Sequence, residues 1–247
     1  MRHIVIIIYK KNQGGTAMIG IIGAMEEEVT ALKNEMENVE TSQYASMLFC
    51  KGTLCGKEVV VVRSGIGKVN AGICAQLLVD KYEVDVLINT GVAGSLDAAI
   101  DIGDMVISSD AVHHDMDTTI FGDPAGQVPR MDTFSFPADE TLVKLAREAN
   151  EKVNPDIHTF VGRVASGDQF ISSKEVKERI KSIFGALCAE MEGAGIAHAA
   201  YLNKVSDVII RAISDKADNS ATMAYSEFEK QAITHSIRLV KELLARM

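Results

Sequence analysis

Val208-Ile-Ile-Arg-Ala-Ile-Ser-Asp215 decides how this chain is read. Three β-branched residues open the stretch and polar residues close it, the pattern of a buried strand that ends at Ser214 and Asp215. In an open α/β sheet, ligands sit at the carboxyl ends of strands, so Asp215 is expected at the mouth of a site. Arg211 lies four residues deeper among apolar neighbours, an expensive place for a charge without a partner. Cys188-Ala-Glu-Met-Glu192, one short helix upstream, offers Glu190 and Glu192 as that partner. A structural ion pair and a functional cluster both fit this pattern.

Outward from this stretch, strand and helix patterns alternate from Met18 onward. Ile19 to Ala24 reads as a short buried strand, and Glu26 to Glu37 as a helix that opens with three acids at its positive end. Met47 to Leu54 and Lys57 to Arg63 pair around a Cys55-Gly56 turn. The helix after Ser64-Gly-Ile-Gly-Lys68 carries Ala71, Cys74, Ala75 and Leu78 on one face, and Val84 to Thr90 is an apolar strand ending in Gly91-Val-Ala-Gly94. Asp104 to Ala111 is the next strand. Residues 118 to 137 hold three of the four prolines and read as a long binding loop. Beyond it come a helix from Ala138 to Lys152, a strand from His158 to Ser166, and capping boxes at Ser172-x-x-Glu175 and Ser226-x-x-Glu229. The pattern is that of one α/β domain over residues 18–247. Residues 1–17, with the short apolar run Ile4 to Tyr9, read as a dispensable extension or a misplaced start.

Composition narrows the function classes. With 47% hydrophobic and 24% charged residues in 247, the chain can bury a sizeable core. A net charge of -9 argues against nucleic-acid binding, which needs a basic face. No stretch is long and apolar enough to suggest a membrane partner. Cys50, Cys55, Cys74 and Cys188 form no C-x-x-C pair and fit small core residues in a reducing, cytoplasmic compartment.

Familiar nucleophile, zinc and nucleotide motifs are missing from the sequence: there is no G-x-S-x-G, H-E-x-x-H or Walker A stretch. His113-His-Asp-Met-Asp117 invites a metal reading, but adjacent strand residues face opposite ways and no second ligand cluster accompanies it; its acids are expected to end a strand and meet solvent or a partner chain. What remains is a set of carboxylates placed after apolar strands: Glu28, Glu190, Glu192 and Asp215. Two separated carboxyls in one pocket suit hydrolysis through an oxocarbenium-like state, one protonating the leaving group and the other activating water. Asp215, at the end of an apolar strand, is the better placed to have its pKa raised by burial. This logic offers acid–base chemistry and does not choose the bond.

Several blocks in a fixed order do choose it. Gly20-Ile-Ile-Gly-Ala-Met-Glu-Glu-Glu28, Ser64-Gly-Ile-Gly-Lys68, Asn89-Thr-Gly-Val-Ala-Gly94, His114-Asp-Met-Asp117, Ser166-Gly-Asp-Gln-Phe-Ile171, Glu190-Met-Glu192 and Arg211-Ala-Ile-Ser-Asp-Lys-Ala-Asp218 span nearly the whole chain from Met18. Together they resemble the 5′-methylthioadenosine/S-adenosylhomocysteine nucleosidases of the purine nucleoside phosphorylase superfamily. The resemblance implies a single-domain three-layer α/β sandwich, with a central mixed twisted sheet flanked by helices. It also implies a cofactor-free, metal-free hydrolase of the N-glycosidic bond to adenine, acting on a small-molecule nucleoside as a homodimer. Carried over by position, Glu28 activates water, Asp215 protonates adenine N7, Glu192 holds the ribose hydroxyls and Arg211 orders the water and the acidic cluster. Met191 packs on the sugar, Phe170 stacks on adenine and the backbone of Ile171 reads its edge. Met25 and Ile66 line the sugar side, with Phe121 and Tyr225 closing the thioalkyl side from one subunit or its neighbour. Ala24, Val92, Ala93, Gly94, Glu190 and Ser214 complete the implied lining.

Two positions depart from the family pattern: Val92 stands where a hydroxyl residue is common near the water, and Asp123 stands where an aromatic residue is expected in the loop. Two other activities are weighed against hydrolysis. A phosphorylase needs cationic and amide donors where Glu28 stands, and a carboxylate there repels a phosphate dianion. A non-catalytic purine-binding relative has no need of both Glu28 and Asp215.

Overall fold

The computed structural model describes residues 17–247, except for the side chains at 222–224, 226 and 227. The expectations for residues 1–16 and for the Ser226 side chain lie outside the described residues. In chain order the elements are β1 (Ile19–Gly23), α1 (Glu26–Asn34), β2 (Glu37–Tyr44), β3 (Met47–Leu54), β4 (Lys57–Arg63), α2 (Lys68–Tyr82), β5 (Val86–Ser95) and β6 (Met105–His113). After a single 3-10 turn at Thr119–Phe121 follow β7 (Phe136–Pro137), α3 (Glu140–Val153), β8 (Thr159–Ser166), α4 (Lys174–Phe184), β9 (Cys188–Glu190), α5 (Gly193–Asn203), β10 (Ser206–Asp215) and α6 (Ala221–Arg246).

The strands form one mixed sheet in the order β10-β6-β8-β9-β5-β1-β4-β3-β2. An additional parallel pairing of β10 with β5 closes the first five of these strands on themselves. Parallel strands covered on both faces read as continuous apolar runs, as in the wholly buried Ile19–Gly23. Their side chains alternate between two cores. Ile19, Ile21, Val59 and Val61 meet Leu239, Val240 and Leu243 of α6 on one face. Ile22, Val60 and Val62 meet Ala71, Cys74 and Leu78 of α2 and Ile196 of α5 on the other. Helix, sheet and helix thus make the three layers that the sequence implied. No helix of the described residues is long and apolar enough to cross a membrane.

Local boundaries differ from the sequence reading in five places. α1 stops at Asn34, and residues that were expected to finish it begin β2, whose eight residues are all exposed. An exposed strand at the sheet edge has no apolar alternation by which to be recognised. β5 runs on to Ser95, so Gly91 to Gly94 are strand residues and not a terminating turn. Ser173, not Ser172, caps α4 through the Val176 N–H. α6 begins five residues before Ser226, at Ala221. The loop 118–137 contains its own 3-10 turn and a two-residue strand against β6.

Candidate active site

Glu28 shows how sequence position becomes chemistry. It is the third residue of α1 and reaches back to accept the N–H groups of Ala24 (2.6 Å) and Met25 (3.0 Å) on one oxygen. Its other oxygen accepts the Val92 N–H at 3.3 Å, from β5. Glu26 and Glu27 of the same first turn are exposed and Glu26 pairs with Lys33, whereas Glu28 is 4% exposed. Glu28 is therefore no solvated dipole charge. Burial pushes its carboxyl above the usual range, against the Arg211 charge and the three N–H groups.

Arg211 enters from β10 and is 1% exposed. Its Nη2 donates to Asn89 Oδ1 at 2.5 Å and to Glu190 Oε2, and lies 3.8 Å from Glu192 Oε2. A Cβ on Gly91 would fall 2.5 Å from Arg211 Nη1 and 2.6 Å from Glu28 Oε1, so only glycine lets both groups lie across β5 here. Burial disfavours the guanidinium charge, but Glu190, Glu192 and Glu28 more than offset that and hold its pKa above the ordinary arginine value.

The carboxylates around Arg211 are not equivalent. Burial would raise Glu190, yet the Arg211 charge, the Ser166 hydroxyl and the Gly193 N–H outweigh it and keep its carboxyl below the usual range. Glu190 also accepts the Glu192 N–H at 3.0 Å, so it is the structural counter-ion. Glu192 is also buried and accepts the Gly67 N–H at 2.9 Å on its Oε1. Burial and then the Glu190 charge lift Glu192 to about 7. Three carboxyl groups thus face one guanidinium, Glu190 as its ionised partner and Glu28 and Glu192 with a raised affinity for protons.

Asp215 stands at the exit of β10, as expected, and is 2% exposed. The Ala217 N–H donates to its Oδ1 at 2.7 Å and the Ser214 hydroxyl to its Oδ2 at 3.0 Å. Burial pushes its carboxyl up against those two donors. Asp215 lines a small cavity with Gly94, Phe170, Ile171, Glu190 and Met191, together with Gln169, Ala189 and Ala217, which sequence reasoning did not single out. Phe170 is half exposed at its rim, edge-on to Tyr225 at 5.9 Å. The Tyr225 hydroxyl donates to Glu229 at 2.6 Å and lies 3.4 Å from Met25 Sδ. Ala93 is buried in β5, its carbonyl 3.4 Å from the Ser214 hydroxyl.

Of the expected residues that do not line this cavity, two are largely exposed. Ile66 lies on the turn before α2 and is 53% exposed; Phe121 lies on the 3-10 turn and is 84% exposed. Asp123 accepts the Thr118 hydroxyl at 3.0 Å within that same loop. The paired histidines diverge: His113 faces His198 and Phe136, while the His114 ring covers Gly167. Asp117 is exposed, as expected, whereas Asp115 is half-buried and pairs with Lys68. Sequence reasoning assigned no role to Asn89 or Ser166; Asn89, which also donates to the Ile22 carbonyl at 3.0 Å, was visible as the first polar residue after Val86-Leu-Ile88. A larger open cleft of about 720 Å³ lies elsewhere, lined by Glu35, Cys55, Arg238 and Lys241, and contains none of the expected site residues.

The chain matches the family model of the Phosphorylase superfamily over residues 18–245. A 5′-methylthioadenosine/S-adenosylhomocysteine nucleosidase of Staphylococcus aureus (strain JH9) is 41% identical over 231 residues, which cover 93% of this chain and all of that one. The chain belongs to this nucleosidase family. The crystal structure of the Neisseria meningitidis nucleosidase in complex with methylthio-immucillin-A superposes with a TM-score of 0.89 at 36% identity, covering 93% of this chain and 99% of that one. The futalosine hydrolase of Helicobacter pylori strain 26695 is also similar, with a TM-score of 0.89 at 33% identity and coverage of 94% and 99%. The members so described are N-glycosyl hydrolases, and the buried carboxylates of this chain stand on the fold they share.

Proposed function

We propose that this chain hydrolyses the N-glycosidic bond of 5′-methylthioadenosine and S-adenosylhomocysteine, releasing adenine and the S-substituted thioribose, in methionine salvage and S-adenosylhomocysteine detoxification. The observation that carries the reading is the surplus of buried carboxylate over guanidinium at Glu28, Glu190, Glu192 and Arg211, next to the cavity of Phe170 and Asp215. Carboxyl groups that ionise beside the sugar favour an oxocarbenium-like ribose and disfavour a phosphate dianion. Glu28 takes the proton of the attacking water, a role that a carboxylate raised by burial performs better than an ordinary one. Glu192 holds the ribose hydroxyls and Arg211 keeps the acidic cluster in register. Asp215 gives its proton to adenine N7 as the base leaves, and Phe170 and the Ile171 backbone hold the ring. Met191 packs on the sugar.

We further propose a cytoplasmic homodimer. All four cysteines are free thiols, as a reducing compartment keeps them. Ile66, Val69, Ile73, Ile120 and Phe121 are all exposed apolar side chains, which a second copy can cover while Phe121 closes the thioalkyl end of its neighbour's site.

The deciding test is adenine release from methylthioadenosine with and without phosphate. Release independent of phosphate is expected; an absolute phosphate requirement identifies a phosphorylase and removes the role of Glu28. The likeness to the futalosine hydrolase favours a second reading, the same cleavage on a futalosine-type substrate. A kcat/KM higher for that substrate than for methylthioadenosine selects it.

A further inference from the structure

We propose that Lys68, Asp115 and Asp168 form a clamp that seats the Gly65–Gly67 turn against Glu192, making them positioning residues for the ribose end of the site. The inference rests on the reading of Glu192 as the group that holds the ribose hydroxyls.

The clamp joins three places far apart in sequence: the start of α2, the segment after β6 and the segment after β8. The Lys68 N–H, in the first turn of α2, donates to Asp168 Oδ1 at 2.8 Å. The Asp168 N–H donates to Asp115 Oδ2 at 2.9 Å, and the other Asp115 oxygen pairs with the Lys68 ammonium. The three residues therefore close a ring. α2 has no side-chain cap of its own and no acid in its first turn, so Asp168 supplies the carboxylate that its positive end lacks. A cap alone needs neither Asp115 nor the Lys68 side chain, yet both are drawn in. The Lys68 and Asp115 side chains are only 16% and 20% exposed, so their attraction is less screened than that of a surface pair.

Glu192 feels the clamp through one residue. Gly67, directly before Lys68, has a φ of 97°, and a Cβ there would stand 3.1 Å from Asp168 Oδ1. The Gly67 end of the turn is thus packed on the clamp and donates its N–H to Glu192 Oε1 at 2.9 Å, while the Gly65 end is held by its N–H to the Ala24 carbonyl at 3.1 Å. Among the described residues, the other group that orients the Glu192 carboxylate is the Arg211 guanidinium, 3.8 Å away. A turn free to shift lets that carboxylate swing. Lys68, already neutralised by Asp115, is not a free cation for a phosphate group.

The test is Lys68→Met combined with Asp115→Asn, which removes one charge of each sign and leaves the net charge unchanged. Two constants are read: KM for methylthioadenosine, which needs the ribose end, and Kd for free adenine, which does not. KM is expected to rise about 10-fold, the scale of one lost hydrogen bond, while the adenine Kd stays within about 2-fold. Lys68→Arg keeps the ion pair and is expected to stay near the wild-type KM. Equal movement of KM and Kd makes the ring a structural cap only and overturns the proposal, as does no movement in either. If the double variant does not fold, Lys68→Gln is measured by the same two constants, and the same outcomes support or overturn the clamp. A wild-type protein that releases no adenine sinks the proposed function and the clamp together, whereas normal wild-type turnover with unchanged variant constants sinks the clamp alone.

Discussion

β10 carries a buried aspartate at each end, and the two make different proteins of the same physics. Asp207 at the entrance and Asp215 at the exit are 5% and 2% exposed, and burial raises both carboxyls. Asp207, with the Asp139 charge adding to burial, reaches about 7. It lies at the amino end of the strand, where its carbonyl accepts the N–H of Asp139, the cap of α3. Asp215 faces a cavity with an aromatic rim and two hydrogen-bond donors of its own. A perturbed carboxyl is therefore not a site by itself. Its end of the strand, and what stands opposite, decide.

The comparison breaks most easily at Asp215. Asp215→Asn is expected to lower kcat/KM for methylthioadenosine by about 10²–10⁴-fold, the usual contribution of a general acid, with adenine still bound. Glu28→Gln belongs in the same range as the loss of a general base. A near wild-type rate for either removes the mechanism.

The next effect is on pH. If Glu192, lifted to about 7, holds the ribose hydroxyls as proposed, it must be ionised, and kcat/KM is expected to fall as pH drops below about 7. The cluster with Glu190, Arg211 and Glu28 titrates as a unit, and Glu192→Gln displaces this acid limb. A pH–rate profile in which the limb stays put assigns it to another group.

Asp207 sharpens the comparison from the other side. A carboxyl whose folded pKa is raised stabilises the fold fully below its unfolded pKa, and that stability is lost as pH rises through the folded value. The wild type is thus expected to lose stability relative to Asp207→Asn between about pH 4 and pH 7. Each 1 kcal/mol gained by the variant shows as roughly 2–4 °C in Tm for a chain of this size. Its kcat/KM should stay within about 2-fold of wild type, since only removal of catalytic acid–base groups costs orders of magnitude. A large rate loss in Asp207→Asn would erase the distinction between the two ends.

The smallest effect concerns Val92. Its N–H already reaches Glu28, and Val92→Ser adds a hydroxyl beside that carboxylate, where the proposed water would stand. One hydrogen bond is worth about 0.5–1.5 kcal/mol, so kcat/KM is expected to rise by no more than about 10-fold. A fall instead would show that the valine side chain matters for packing.

How much of this was legible in the sequence follows from which forces leave periodic traces. β1, β5 and β10 were readable because strands buried on both faces must be apolar along their length, and Asp215 because the polar residue ending such a run marks the strand exit. The buried stripe of α2 was readable from helical spacing. β2 was not, because an all-exposed edge strand is shaped by its pairing with β3 and not by burial. Glu28 could not be told from Glu26 and Glu27 by composition. Three consecutive glutamates look alike until the helix turns one of them inward over Gly91.

By itself, then, the sequence determined the α/β alternation, the exit of β10 and, through its ordered motifs, the family. These depend on contacts close in sequence or on residue patterns repeated along one element. Only the tertiary structure decided that β10 pairs with β5 to close five strands on themselves, and that Glu190 pairs with Arg211 while Glu192 accepts the Gly67 N–H. It alone showed that Asp168 caps α2 from 100 residues away. Each of these rests on groups distant in the chain meeting at hydrogen-bond or ion-pair range, and such meetings leave no periodic mark in the order of the residues.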